Sequence, residues 1–546
     1  MSLKSEYLGI NPDEIKDSTT RIIVTRLLNV IETISKENQK LTAEVQQLKD
    51  ENNRLKGEQG KPSILPKNRN TSSEKERRQY DNKKKKKQRK KKPKKNISKT
   101  IDCKVDGAIL PKDAEFKGYE TTVIPELIMK VEYIEYRREK FYSPSRNKTY
   151  LASLPKGYTG QFSPSVRTAV IDLKYGLKST ESNIQRFLNN LGCEISNATI
   201  SRILTKNVNI FNKEKNDITQ AGIQTSTYVQ TDDTMARVKG ENYHSHILCS
   251  PYFTSFWTEK RKDRLTVLDV LRLKRPRMYC INKETLWILS QMKLPLKREQ
   301  ALQIYYQEET YSEAEFEKIL NQLFPDKDRY KQYRQRVQEA AYISGYHQEP
   351  GCIHTLICDD APQFKLLTYF LALCWVHEGR HYKKLQPVIP YHRKQVDVFL
   401  KAFWEFYGKL LDFKEHPSGA LAKKLEVCFD ALCAQHVTYG ELKERIAKTK
   451  ANKQSLLTVL SHPEIPLHNN SSELGARVRV RDRDIRLHSM SEEGIAANDS
   501  FLTLLETAKK LGVNFRDYIH DRLSCDFSMP ALADLIRLQA TLPHHT

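Results

Sequence analysis

Two short apolar runs in this chain end in paired carboxylates: Val229-Gln230-Thr231-Asp232-Asp233-Thr234 and Leu356-Ile357-Cys358-Asp359-Asp360-Ala361. If both runs are buried strands, their terminal acids are costly to desolvate unless a cation neutralises them. A divalent cation is the natural neutraliser. Mg²⁺ prefers oxygen ligands and keeps positions open for phosphate oxygens. Holding two such ions about 4 Å apart for in-line phosphoryl displacement takes a third acid. Glu473, in Leu467-His468-Asn469-Asn470-Ser471-Ser472-Glu473-Leu474-Gly475-Ala476-Arg477, is the candidate. Either Asp pair alone reads as loop or cap acids; two strand-end pairs with a helix-borne Glu point to metal-assisted chemistry. A rival pattern lies at His377-Glu378-Gly379-Arg380-His381. On a helix it puts two imidazoles on one face for Zn²⁺ with the Glu as general base, as in a metallohydrolase, and Glu405 is a conceivable third ligand. Arg380 argues against it, because it places a charge beneath the metal. No Gly-x-x-x-x-Gly-Lys-Ser/Thr loop occurs, so ATP-driven chemistry is unsupported.

The elements that must position these acids alternate along the second half of the chain. Tyr228 to Gln230, His246 to Cys249 and Tyr252 to Trp257 read as three successive strands, and 353–358 as a buried strand. The stretches 268–347 and 391–450 read as mostly helical, 365–384 as a largely apolar helix, and Ser471 opens a helix with Glu473 near its start. Upstream, Ser163-Pro164, Ser179 and Ser196 start three capped helices, the second ending at Gly192. Two short helices joined by a tight Gly-containing turn resemble a helix-turn-helix. Before them, residues 101–156 read as short strands at 121–124, 128–136 and 149–152.

Charge and periodicity define the first hundred residues. The chain has 546 residues and a formal net charge of +24, and between Glu51 and Thr100 there are 20 basic and 5 acidic side chains, so most of the excess sits in one block. Lys83, Lys84, Lys85, Lys86, Lys87, Arg89, Lys90, Lys91, Lys92, Lys94 and Lys95 form its centre. Such a run stays unfolded by self-repulsion and contacts phosphates without reading bases. Before it, Leu27, Ile34, Leu41, Leu48 and Leu55 recur every seven residues, with Ile31, Asn38, Val45 and Asn52 between them. Leu at d with Asn at two a positions specifies a parallel two-stranded coiled coil, since each buried amide needs its mate in register. The longest uncharged apolar stretch, 366–376, is eleven residues and too short to span a bilayer. The N-terminus is not a secretory signal. Ten scattered Cys without a Cys-x-x-Cys pair suit a reduced, cytoplasmic protein.

Taken in order, these residues resemble the insertion-sequence 66 family of bacterial transposases over nearly the whole chain. The resemblance is carried by the zipper, the basic linker, the small β module, the helix-turn-helix-like region, the two strand-end acids and, most specifically, the Asn469-Asn470-x-x-Glu473 element. It implies a DDE enzyme with a ribonuclease H-like catalytic core. By it Asp232, Asp359 and Glu473 are the catalytic acids and hold two Mg²⁺ or Mn²⁺ ions. Asp233 stands where the family more often has Glu, and Asp360 competes with Asp359 as the second ligand. Cys374-Trp375-Val376-His377 with Arg380 resembles the family's Cys-Trp-x-His element and supports the site, and Ser500 to Gly512 resembles its C-terminal helix. Family members often carry a four-Cys zinc module. Here Cys103 stands alone and Ser143-Pro144-Ser145 takes the place of the second pair, so no zinc is expected.

The expected class is therefore α/β. The domains are a leucine-zipper coiled coil (1–57), a basic disordered linker (58–100), a small β module, zinc-ribbon-like but degenerate (101–156), and a helix-turn-helix-like region (157–221). A ribonuclease H-like core (222–515) with helical insertions at about 268–347 and 391–450, and a tail (516–546), complete the chain. The expected function is a transposase that binds the terminal inverted repeats of its element and cleaves and transfers strands. Its partners would be double-stranded terminal and target DNA, a second or further copy of itself, and accessory proteins of the same element, with no membrane. Its place would be the bacterial cytoplasm, on the nucleoid. Two alternatives stand beside this: a non-enzymatic dimeric DNA-binding regulator, and a zinc metallohydrolase built on His377-Glu378-x-x-His381.

Overall fold

The structure, a computed structural model, describes residues 10–55, 97–105, 118–124, 127, 129–206, 208–486 and 488–541. The Lys83–Lys95 block lies outside them. The heptad segment is one continuous helix, α1 (Ser18–Leu55), opened by Asp17, whose carboxylate accepts the Thr20 N–H at 2.6 Å. Leu27, Ile34, Leu41, Val45 and Leu48 are all at least half exposed or close to it, and Asn38 is exposed. Asn52 and Leu55 belong to the helix, but their side chains are outside the described set.

Of the strands expected in 101–156, only the last forms: β1 (Lys140–Ser143) pairs antiparallel with β2 (Lys148–Leu151), and the described residues of 121–136 are not strand. Phe141, Tyr142 and Leu151 stay exposed. A two-stranded ribbon has no second layer on which to bury an apolar face. The next three helices follow their caps. Ser163 caps α2 (Pro164–Ile171), Thr180 rather than Ser179 caps α3 (Glu181–Asn190), and Ser196 caps α4 (Asn197–Thr205). Gly192, at φ +84°, makes the turn between α3 and α4. The helix α5 (Val208–Thr225) then leads into the sheet.

That sheet is the centre of the molecule. β3 (Val229–Val238), β4 (Glu241–Cys249) and β5 (Thr254–Glu259) form an antiparallel meander. Its first turn is Lys239-Gly240, both at positive φ, the two-residue turn whose twist matches a right-handed hairpin. After a first insertion the chain returns as β8 (Thr355–Cys358), parallel to β3, and β9 (Phe370–Leu373), parallel to β8, which gives the order β5-β4-β3-β8-β9. The exposed edge of β5 is closed by side chains. Asp499, Thr503 and Thr507, one turn apart on a helix, accept the N–H groups of Thr258, Phe256 and Thr254 at 2.7, 3.0 and 3.2 Å. An edge so covered offers no template for pairing with another chain.

The first insertion is less helical than its composition predicts. It runs α6 (Arg264–Leu271), β6 (Met278–Ile281), α7 (Lys283–Gln291), α8 (Leu296–Leu302), β7 (Gln307–Ser312), α9 (Glu313–Leu323), α10 (Lys331–His347), with β6 and β7 paired antiparallel. The expected helix over 365–384 likewise divides into β9 and α11 (Trp375–Lys383). In both places a four-residue apolar run is too short for its period to separate strand from helix, and an open neighbouring strand decides. The second insertion is helical as expected: α12 (Pro390–Glu415), α13 (Gly419–Cys433) and α14 (Gly440–Ala451). The chain closes with α15 (Asn470–Arg486), α16 (Glu492–Leu511), α17 (Phe515–Ser524) and α18 (Leu532–Thr541). No helix among the described residues is long and apolar enough to cross a membrane.

Candidate functional site: three acids at the parallel seam of the sheet

Asp232 lies mid-strand, because β3 continues six residues past it to Val238; the expectation that it ends its strand is corrected. Asp232 and Asp359 nevertheless lie along neighbouring strands. In the parallel seam Val229 stands beside Leu356 and Gln230 beside Ile357, so Asp232 and Asp359 are each two residues beyond the last registered pair. A step of two returns a side chain to the same sheet face, so both carboxyls rise on one side of adjacent strands. Burial, and then the negative charge of Asp359 and further off Glu473, push the Asp232 carboxyl up to about 7. Burial, with Asp233 and Asp360 nearby, also raises Asp359. Asp232 thus feels the charge of both other acids.

Their neighbours within each pair are already engaged. Asp233 accepts from the Gln363 amide at 2.8 Å and has Lys262 at 3.8 Å. Asp360 pairs with Lys365 at 2.8 Å and accepts from Asn452 at 3.1 Å. Asp232 and Asp359 each accept a backbone N–H, from Asp233 at 2.9 Å and Ala361 at 3.1 Å. Among the described residues no cationic side chain forms an ion pair with either.

Glu473 is held against the sheet because α15 is tied to β3 at its first turn. Asn469, fully buried, donates its side-chain amide to the Thr231 carbonyl at 2.7 Å, one residue from Asp232, and its own N–H goes to Cys374 Sγ at 3.2 Å. The Ser471 N–H donates to the Gln230 side chain at 3.1 Å. Two turns of the helix then lie directly on the sheet at Gly475. A Cβ there would stand 2.8 Å from Ile247 Cγ2, and Ile247 is the cross-strand partner of Asp232. Neither Asn469, Gln230 nor Gly475 was assigned a role from sequence. The signal available was a Gly inside the first turns of a helix, which costs stability unless something must come close.

Asn469→Ala removes the tie and leaves the buried Thr231 carbonyl without its donor. The expected cost is about 1–3 kcal/mol, read as a lowered unfolding midpoint in urea, together with weaker cleavage. Unchanged stability would mean that the tie is dispensable.

The residues expected to support the site do so unequally. Arg380 on α11 donates to both Glu473 oxygens at 2.9 and 3.2 Å and to His377 Nε2 at 3.0 Å. His377 is depressed to about 4 by burial, so it is neutral at ordinary pH. Cys374 Sγ, a His377 ring nitrogen and a Glu473 oxygen lie within 4.8 Å of one another. Burial pushes the Cys374 thiol up to about 12, and Arg380 pairs with Glu473. The zinc-hydrolase pattern fails. Glu378, the general base it requires, turns away to Arg445 of α14 at 2.5 and 2.6 Å and to the Thr449 hydroxyl, while Glu405 is an exposed residue of α12.

With this geometry in hand, the relatives can be placed. A profile described as "Transposase IS66 family" matches residues 282–497, a span that holds Asp359, the Cys374–Arg380 helix and Glu473. A protein of Sinorhizobium fredii (strain NBRC 101917 / NGR234), named "Uncharacterized protein y4jO", is 31% identical over 322 residues, which is 59% of this chain and 98% of that protein. The chain belongs to the IS66 family of transposases. Membership implies an enzyme that cuts and transfers DNA, a class that generally works with divalent metal ions.

Proposed function

We propose that this IS66-family chain is a DDE transposase whose five-stranded sheet is a ribonuclease H-like core, with Asp232, Asp359 and Glu473 as the metal-holding acids. The observation that supports the reading is the parallel register of Val229 with Leu356 and Gln230 with Ile357, which sets Asp232 and Asp359 two residues beyond the same pair, together with the influence of the Asp359 and Glu473 charges on Asp232. The strand order supports the fold assignment. The donor set suits Mg²⁺ or Mn²⁺: it is all-oxygen, Glu473 is buried, Asp232 and Asp359 are half-buried, and among the described residues neither Asp has an ion-pair partner. A pair of such ions would stabilise the attacking and leaving oxygens of an in-line phosphodiester displacement.

The chain's own residues prepare that chemistry. Asp232 must lose its proton to bind a cation. Arg380 holds Glu473 in orientation through both its oxygens, and Arg477, one turn along α15, adds a second cation at 3.6 Å. Lys262 and Lys365 stand on the rim beside Asp233 and Asp360. They leave Asp232 and Asp359 unpaired while presenting charge to a phosphate backbone. The Lys83–Lys95 tether would add sequence-independent DNA affinity, α3–α4 would read the terminal inverted repeats, and the α1 seam would pair two copies.

The test is incubation of the purified protein with DNA carrying the element's ends. Mg²⁺- or Mn²⁺-dependent nicking that leaves a 3′-hydroxyl, abolished by chelation, is expected. Sequence-selective binding without cleavage under any divalent ion would instead make the protein a regulator. A second consequence follows from the Asp232 carboxyl. Because only its ionised form binds a cation, apparent Mn²⁺ affinity should rise by about tenfold per pH unit up to about pH 7 and level off above it. Calorimetric titration across that range checks this. An affinity flat with pH would remove Asp232 from the ligand set.

A further inference from the structure

The polar face of α1 is built into the second insertion. Neither α12 nor α14 has a side-chain cap of its own; their N-cap residues are Ile389 and Tyr439. Both caps come from α1. The Glu32 carboxylate, 1% exposed, accepts the Val388 and Ile389 N–H groups at 2.6 and 2.9 Å and lies 3.3 Å from His392 Nδ1. The Asn29 side chain accepts the Gly440 N–H at 2.8 Å and donates to the Thr438 carbonyl at 3.0 Å. Lys36 completes the set at a helix C-terminus: it donates to the Leu385 carbonyl just past α11 at 2.9 Å, to the Tyr439 hydroxyl at 2.7 Å and to Glu441. An acid and an amide at two N-termini and a cation at a C-terminus are the arrangement that unpaired helix-end groups and dipoles favour.

Asn29, Glu32 and Lys36 fall on one stripe of α1. At about 100° per residue the heptad stripe of Leu27, Ile34, Leu41 and Val45 lies on the opposite side, where these residues remain exposed. Docking and pairing with a second copy therefore use different faces. The docked helices also lead to the acids. α14 meets α1 at Gly440 and Glu441, holds Glu378 of α11 through Arg445 and Thr449, and is followed by Asn452, which donates to Asp360. α11 in turn carries Arg380 to Glu473.

We infer that the 390–451 insertion is a socket for the N-terminal helix, in which Asn29, Glu32 and Lys36 act as positioning residues that fix α11, and with it the Arg380–Glu473 contact, to the helix that pairs with a second copy. The part of this that concerns cleavage rests on the proposed function; the socket itself does not.

The test compares two full-length variants. In the socket variant, Asn29→Ala/Glu32→Ala/Lys36→Ala, sedimentation mass should equal that of the unaltered protein. Amide exchange at Val388, Ile389 and Gly440 should accelerate at least tenfold, and cleavage kcat should fall about tenfold with Kd for DNA unchanged. Lys36→Ala alone serves if the triple variant does not fold, and Lys36→Arg should restore most of its loss. In the seam variant, Leu41→Glu/Leu48→Glu, the mass should fall while those amides stay protected. Unchanged exchange in the socket variant, or lost protection in the seam variant, overturns the socket. Faster exchange with unchanged kcat overturns the link to Glu473. If the unaltered protein cleaves no DNA with any divalent ion, the catalytic reading fails, and exchange and mass still decide the socket.

Discussion

Asp232→Asn, Asp359→Asn and Glu473→Gln are each expected to lower metal-dependent strand cleavage by on the order of 10³-fold or more, with DNA binding retained. Each change keeps the shape of the side chain and removes the charge that a hard cation requires. Stability should move the other way at Asp232. Burial and the neighbouring carboxylates hold its proton on to about 7, so its ionised form is disfavoured in the fold at higher pH. That cost builds from about pH 4, where the unfolded carboxyl ionises, and is complete above about pH 7, so replacing Asp232 with a neutral amide removes it and should leave the unfolding midpoint unchanged or raised at neutral pH. Loss of cleavage with undiminished stability separates a functional acid from a structural one. Asp233→Asn and Asp360→Asn are the matched controls, since Gln363, Lys262, Lys365 and Asn452 already occupy those carboxylates. Full cleavage by any of the three principal variants would remove that residue from the site.

Gly475→Ala should damage cleavage severely without touching an acid. Its Cβ would meet Ile247 Cγ2 at 2.8 Å and Thr254 Cγ2 at 3.4 Å, so α15 must lift from the sheet or Ile247 must leave its position beside Asp232. Overpacking of this kind costs about 1–3 kcal/mol. Displacing Glu473 by even 1 Å is worth about 10²-fold in rate. Ile247→Ala removes the clashing methyl, so Gly475→Ala/Ile247→Ala should recover cleavage relative to Gly475→Ala alone. Recovery identifies spacing as the cause; a double variant no better than the single one would refute it.

The chemistry-bearing residues were readable because their signals are local. Two apolar runs ending in Asp-Asp, and a capped Glu helix, state their element types in six or seven residues, and the seven-residue apolar period of α1 is visible without any partner. The meander β3-β4-β5, the caps of α2 and α4, and the helical second insertion were legible for the same reason. Short apolar runs were not. Phe370 to Leu373 and Met278 to Ile281 became strands because β8 and β7 lay open beside them, and that is a property of the assembled sheet.

Residue type and spacing alone determined which acids were available, that a lysine-rich block and a helix with a seven-residue apolar period precede them, and that the class is α/β. Only the tertiary structure decided that Asp360 is engaged by Lys365 and Asn452 while Asp359, among the described residues, has no ion-pair partner. It also decided that Glu378 belongs to Arg445 and not to a zinc ion, and that α1 turns its polar face inward onto three helix ends. The physical reason is common to all three. A carboxylate's role is set by which donors and charges lie within a few ångströms of it, and those come largely from elsewhere in the chain: Asn452 is 92 residues from Asp360, Arg445 is 67 from Glu378 and Ile389 is 357 from Glu32.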